Sequence, residues 1–249
     1  MLLEGKNAVV TGCNRGIGKA VLEKFAAHGA NVFAHARTRT EEFEELCKRI
    51  QETYRVVIIP VYFDLTKEAE VKAAVKEMIC REKNIDILVN NAGAVQQVRL
   101  FQMTSIEEMK REFDVNFFGQ IYLTQLISKR MLRRKSGSIV NLSSCAGIDG
   151  NTGMLEYVAS KAAVIGATKR LAIELGKYNI RVNSVAPGLT DTQMGNQMDG
   201  ELQEEVFRKL VIKRKAKPEE IADAVLFFAS DMSAFITGQT LRVVGGMLN

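Results

Sequence analysis

Short apolar runs rich in Val, Ile and Ala alternate along the chain with longer stretches whose apolar residues recur every three or four positions. The short runs predict strands over 7–11, 31–37, 56–64, 85–90, 138–142, 181–186 and 240–244. Their near-continuous Val and Ile content suits strands covered on both faces, as in a parallel sheet. The longer stretches predict helices over 16–28, 41–53, 67–83, 106–134, 155–177 and 218–230. The stretch 106–134 is long enough for two helices or one bent helix. Strand and helix alternating from end to end is the pattern of an α/β, doubly wound fold with a seven-stranded parallel sheet. No linker, repeat or low-complexity segment interrupts it, so one domain is expected over 1–249. The segment 187–200, rich in Gly, Asn, Asp and Met, reads as a loop able to act as a lid.

Composition narrows the class. A chain of 249 residues, 47% hydrophobic and 25% charged, has room for a sizeable core. No apolar run approaches the ~20 residues that span a bilayer. The N-terminus runs straight into the first strand without the marks of a secretory leader, and a cytoplasmic location is expected. The four cysteines (Cys13, Cys47, Cys80 and Cys145) show no Cys-x-x-Cys spacing, and His28 and His35 stand apart from them. Reduced thiols and no metal are therefore expected. The net charge of +5 gathers at Lys129-Arg130, Arg133-Arg134-Lys135 and 209–217. These read as solvated helix ends and loops; no aromatic residues interleave them, so no nucleic-acid partner is expected.

Candidate chemistry begins where the first strand ends, in Thr11-Gly12-Cys13-Asn14-Arg15-Gly16-Ile17-Gly18. Glycines let the backbone turn tightly and let a pyrophosphate approach, and a helix N-terminus then offers free N–H groups. At a first strand–helix junction this is a dinucleotide signal. An acid ending the second strand would accept from a ribose 2′-hydroxyl and favour NAD. Here the segment is His35-Ala36-Arg37-Thr38-Arg39, with no carboxylate. Arg37 and Arg39, with Arg15 in the glycine loop, can instead fork onto a 2′-phosphate, which favours NADP(H). Asp64 with Leu65, and Asn90-Asn91-Ala92-Gly93, fall at strand C-termini, where open α/β sheets bind ligands. Both histidines read as inert, His35 as packed within the second strand.

Tyr157 and Lys161 are four residues apart on a predicted helix and share one face. A phenol titrates near ~10, and a neighbouring ammonium favours its ionised form. Lys161 is therefore expected to draw the Tyr157 pKa down. Ser143 and Ser144 end the fifth strand, and either hydroxyl can stabilise a developing negative charge. Asn116 lies inside the long helical pattern, where Asn tends to rearrange local hydrogen bonds.

In order, Thr11-Gly-x-x-x-Gly-Ile-Gly18, Asn90-Asn-Ala-Gly93, Asn116, Ser144, Tyr157-x-x-x-Lys161, Asn183 and Pro187-Gly188 with Thr190 and Thr192 resemble the short-chain dehydrogenase/reductase family, single-domain type. The resemblance runs over 6–246. It implies a Rossmann fold, NAD(P), and an Asn116–Ser144–Tyr157–Lys161 tetrad. In that tetrad Tyr157 is the acid/base, Ser144 (selected over Ser143 by its spacing from the tyrosine) orients the carbonyl, Lys161 binds ribose and tunes Tyr157, and Asn116 anchors a relay water. It also implies cofactor contacts from Gly12, Asn14, Arg15, Gly16, Ile17, Gly18, Arg37, Asp64, Leu65, Asn91, Ala92, Gly93, Pro187, Gly188, Thr190 and Thr192, and a homotetramer or homodimer. Within the family the chain is most similar to the 3-oxoacyl-acyl-carrier-protein reductases of fatty acid biosynthesis, so a 3-oxoacyl thioester on acyl carrier protein is the first-choice substrate. It departs from that subgroup at Tyr178, Lys135, Val244 and Ala94-Val95-Gln96-Gln97. The alternatives are a reductase or dehydrogenase of a sugar, polyol or other secondary alcohol, and a non-catalytic NADP(H)-binding sensor.

Overall fold

The computed structural model describes residues 1–82, 84–95, 99–150, 154–197 and 200–246. Lys83 at the end of the third predicted helix, Gln96 and Gln97, and Met198 and Asp199 of the predicted 187–200 loop lie outside the described residues. Seven parallel strands form one sheet: β1 (Asn7–Val10), β2 (Asn31–Ala36), β3 (Ile58–Tyr62), β4 (Ile87–Asn90), β5 (Gly137–Leu142), β6 (Ile180–Pro187) and β7 (Thr240–Val243). Their order is β3-β2-β1-β4-β5-β6-β7. The helices are α1 (Gly16–Ala27), α2 (Glu41–Tyr54), α3 (Glu68–Arg81), α4 (Ile106–Phe113), α5 (Gly119–Arg134), α6 (Ala146–Asp149), α7 (Leu155–Gly176), α8 (Gly200–Lys209) and α9 (Pro218–Ala229).

Side-chain alternation sends successive strand residues into two apolar layers. Ala8, Val10, Val32 and Ala34 pack with Phe25 of α1, Phe43 of α2 and Val225 of α9. Val9, Phe33, Leu88 and Ile139 pack with Met78 of α3, Ile127 of α5 and Leu175 of α7. Both faces being covered is why the strands read as continuous apolar runs. Strand order reverses between β1 and β4, so the crevice beyond their C-termini is the place where such sheets take a ligand.

The predicted helix 106–134 is α4 and α5 joined by a π turn over Asp114–Phe118. Two residues account for it. The Asn116 side chain is drawn to the backbone of Ala94, and Gly119 lies so close to the Leu65 carbonyl that no Cβ would fit. β3 starts at Ile58 rather than 56 because the Val57 N–H is held by the Asn31 side chain. α8 was not foreseen: its sequence carries only Leu202, Val206 and Phe207 as large apolar residues.

Candidate active site

The glycine loop is fixed from below by β4. The Thr11 hydroxyl accepts from the Asn91 and Ala92 N–H groups, both at 2.9 Å, and donates to the Val89 carbonyl at 3.2 Å. The Asn91 amide donates to the Thr11 carbonyl at 2.7 Å and the Gly12 carbonyl at 3.2 Å. Gly12 and Gly16 have φ of +72° and +54°, where side chains are disfavoured. At Gly18 a Cβ would run into the Gly12 carbonyl. α1 then starts with no side-chain cap and no acid in its first turn, whereas Thr40 caps α2 and Ser105 caps α4. Its first N–H groups are thus left for an anion, which fits a pyrophosphate. Asn14 is exposed at the loop tip, and Ile17 packs onto the core. Arg15 is held across the crevice by Gln193, which draws it towards the segment after β6.

His35 is more than packing. The Gly12 N–H donates to its Nδ1 at 3.2 Å, and its Nε2 donates to the Phe63 carbonyl at 2.8 Å, so the ring is neutral. Burial pushes its pKa down to about 4, against the opposing pull of the Phe63 carbonyl and Asp64. His35 thereby ties the first glycine of the loop to β2 and β3. The signal available in sequence was a single buried-looking His opposite the glycine turn, too common to single out.

At the adenosine end, Arg39 is committed to Glu44, with Nε–Oε1 at 2.8 Å. Arg37 directly follows β2, is exposed and forms no ion pair among the described residues. Burial pushes the Asp64 carboxyl up, but hydrogen bonds from the Thr66 N–H and hydroxyl, with the charges of Arg37 and Lys67, hold it below the usual range. Leu65 is buried in the second apolar layer, so only its backbone is available to a ligand.

The reacting end lies between β4, β5, β6 and α7. Ser143 and Ser144 are separated by what they face. Ser143 donates to the Val185 carbonyl at 3.1 Å and accepts from Ser184 at 2.7 Å, a structural role within the sheet. Ser144 acts instead on Tyr157, whose pKa its hydroxyl pulls down, while its Oγ accepts from the Ala146 N–H at 3.2 Å. Lys161 is buried, with Nζ donating to the Leu142 carbonyl at 2.9 Å and lying 5.8 Å from the Tyr157 ring centroid. A Cβ on Gly93 would approach Lys161 Nζ at 3.5 Å and Asn116 Oδ1 at 3.2 Å, so its absence opens the space in front of the lysine. Asn116, at the centre of the π turn, accepts from the Ala94 N–H at 2.8 Å and donates to the Ala94 carbonyl at 2.9 Å. Pro187 ends β6 and takes the Cys145 N–H on its carbonyl. Thr190 donates to the Gly188 carbonyl at 3.0 Å, and Thr192 lies against Gly16, closing the phosphate side of the crevice. Asn183 ties β6 to the segment before β7 through Ile236 and Gln239.

The expected lowering of the Tyr157 pKa is not what the protein alone provides. Burial pushes the phenol up to about 12; Ser144 pulls it down, and Cys145 and Glu112 push it further up. Burial also lowers Lys161 to about 8, with Glu112 opposing. At neutral pH these shifts favour a neutral phenol beside an ammonium. That is the state in which a tyrosine gives a proton rather than takes one.

The sequence profile of the family described as enoyl-(acyl carrier protein) reductase matches residues 12–248. The 3-oxoacyl-[acyl-carrier-protein] reductase FabG of Thermotoga maritima is 39% identical over 248 residues, covering 100% of both chains. A 7α-hydroxysteroid dehydrogenase complexed with NADH and 7-oxo glycochenodeoxycholic acid superposes with a TM-score of 0.93 at 32% identity, over 99% of this chain and 95% of that one. A 3-oxoacyl-[acyl-carrier protein] reductase from Brucella melitensis superposes with a TM-score of 0.91 at 31% identity, over 99% and 92%.

Proposed function

The chain belongs to the short-chain dehydrogenase/reductase family, and from that premise we propose that it is an NADP(H)-dependent reductase of 3-oxoacyl thioesters, acting on them as carried by acyl carrier protein. The observation that carries the reading is the convergence of the Ser144 hydroxyl, the Tyr157 phenol and the Lys161 ammonium at the sheet edge that also bears the glycine loop. The nicotinamide dinucleotide, when bound, supplies the hydride. The uncapped first turn of α1 would hold its pyrophosphate, with Gly12 and Gly16 shaping the turn beneath it. Asp64, Asn91, Ala92 and Gly93 would line its adenosine and ribose side, Thr192, against Gly16, its phosphate side, and Pro187, Gly188 and Thr190 its nicotinamide side. Arg37, with no acid ending β2, takes the 2′-phosphate; this supports NADP(H) over NAD(H).

Ser144 and Tyr157 both donate to the substrate carbonyl oxygen, which stabilises the negative charge that develops there. Tyr157 then delivers its proton to that oxygen. Lys161 holds its charge beside the phenol and would hydrogen-bond the ribose of a bound dinucleotide. Asn116 keeps the π turn open for a water that resupplies the proton. The family description names an enoyl reduction. Two hydroxyls meeting at one point suit an oxygen that itself becomes protonated, so the oxo reaction comes first in our reading.

One domain carries cofactor and substrate together, a reading supported by the single sheet. Tyr178 stands where the subgroup has a carrier-docking arginine, but Lys177 Nζ lies 5.2 Å from its ring and keeps a cation there. On α7 the small residues Ala162 and Gly166 are exposed, which supports close packing against a second copy in a homodimer or homotetramer. Among the described residues no helix is long and apolar enough to cross a membrane. A second reading, reduction or oxidation of another secondary alcohol, is favoured by the likeness to the 7α-hydroxysteroid dehydrogenase structure.

A panel of acetoacetyl and enoyl thioesters, oxosteroids and sugars, followed by cofactor absorbance with NADPH and with NADH, tests this. The proposal expects fastest turnover with the 3-oxoacyl thioester and NADPH. Tight NADPH binding without turnover of any panel member would leave only a sensor.

A further inference from the structure

A buried carboxylate lies behind the tetrad, outside the motifs that carry the family resemblance. Glu112 is in the last turn of α4 with 1% of its surface exposed. It precedes Asn116 by four residues, so the two share a helix face. Its Oε1 accepts from Asn116 Nδ2 at 3.0 Å. The same amide reaches Ser160 Oγ at 3.3 Å, and Ser160 donates to the Tyr157 carbonyl at 2.9 Å. A chain of hydrogen bonds thus runs from Glu112 to the backbone that carries the phenol. Burying a carboxylate is costly unless a charge or donors compensate it. The nearby buried cation is Lys161. The titratable groups facing the pair, among the described residues, are Glu112 from α4 and Cys145 from the segment after β5, and only Glu112 acts on both Lys161 and Tyr157.

We propose that Glu112 is a positioning residue of this site: its carboxylate fixes the Asn116 carboxamide and places a negative charge behind Lys161 and Tyr157. A negative charge there favours the proton-donating form of the pair, the direction that carbonyl reduction needs. The part about proton donation rests on the function proposed above; the charge coupling does not.

The coupling is read in the cofactor-free protein by NMR, with lysine isotopically enriched at Cε and the Lys161 signal identified by its loss in Lys161→Arg. Glu112→Gln keeps an acceptor for Asn116 and removes the charge. The Lys161 signal of this variant is expected to titrate about one pH unit below that of the parent. Superimposed titrations overturn the proposal. If Glu112→Gln does not fold, Glu112→Asp, which draws the charge back by one methylene, is expected to move the midpoint in the same direction by less, and an unmoved midpoint overturns it. In the turnover assay the alkaline limb of kcat/KM moves down with the NMR midpoint, while the KM for NADPH stays within about twofold. A parent enzyme that reduces no carbonyl sinks the proposed function alone, because the NMR titration still decides the role of Glu112.

Discussion

Single side chains carry most of the chemistry, and they differ in how far sequence exposes them. Residue type alone leaves Ser143 and Ser144 open; the family resemblance selects Ser144 by its spacing from Tyr157, and the structure separates them by what they act on, Val185 and Ser184 for one and the Tyr157 phenol for the other. Arg37 and Arg39 were likewise interchangeable until Glu44 claimed Arg39. We expect Arg37→Asp to weaken NADPH by about tenfold or more while leaving NADH within a few-fold, since a charge-assisted contact to phosphate is worth roughly 1.5–3 kcal/mol. Fluorescence titration with both cofactors measures it; an unchanged preference would exclude Arg37 from the 2′-phosphate site. Lys161 makes a prediction about pH. Its pKa is lowered to about 8, so it is charged below that value and neutral above it. The kcat/KM for reduction, which reports free-enzyme groups, should be level below pH 8 and decline above it. A profile level to pH 10 would contradict the charged role of Lys161.

At the scale of elements, the seven strands were legible because both sheet faces are covered, which makes each strand a plain apolar run. Helix ends were read to within a few residues where caps are local, as with Thr40 on α2 and Pro218 on α9. What was illegible depends on contacts distant in sequence. The π turn exists because Asn116 bonds Ala94 and because Gly119 meets Leu65, and neither partner is visible from within the helix. The same holds for the loop after β1: its glycines were readable, but not the Thr11–Asn91 clamp or the His35 contact that hold it in shape. Gly18 gives an element-scale test. A methyl there meets the Gly12 carbonyl, so Gly18→Ala must displace α1 from β1. We expect a loss of about 2 kcal/mol or more in denaturant unfolding, with NADPH binding abolished. Unfolding and binding both unchanged would show that the loop is not packed as described.

Across the whole molecule, the crevice at the β1/β4 reversal gathers residues from all parts of the chain, from Gly12 to Thr192. His35 couples that crevice to global stability. Its folded pKa of about 4 lies below the ordinary value of 6.5, so the unfolded chain binds the extra proton between those values. Its contribution is fully present above pH 6.5 and is lost as pH falls through 4. The magnitude is up to roughly 3 kcal/mol. Unfolding free energies measured at several pH values should show a slope over this window that His35→Gln reduces; equal slopes would mean that His35 is not the buried neutral link.

The central claim is that Tyr157 hands its proton to a carbonyl oxygen held beside a nicotinamide dinucleotide. Turnover of NADPH with a 3-oxoacyl thioester, measured for the parent protein and for Tyr157→Phe alongside NADPH affinity, tests it most directly. The account predicts a fall in kcat of about 10²–10⁴-fold, the usual worth of a positioned proton donor, with NADPH affinity nearly unchanged. A Tyr157→Phe enzyme that turns over at close to the parent rate would contradict it.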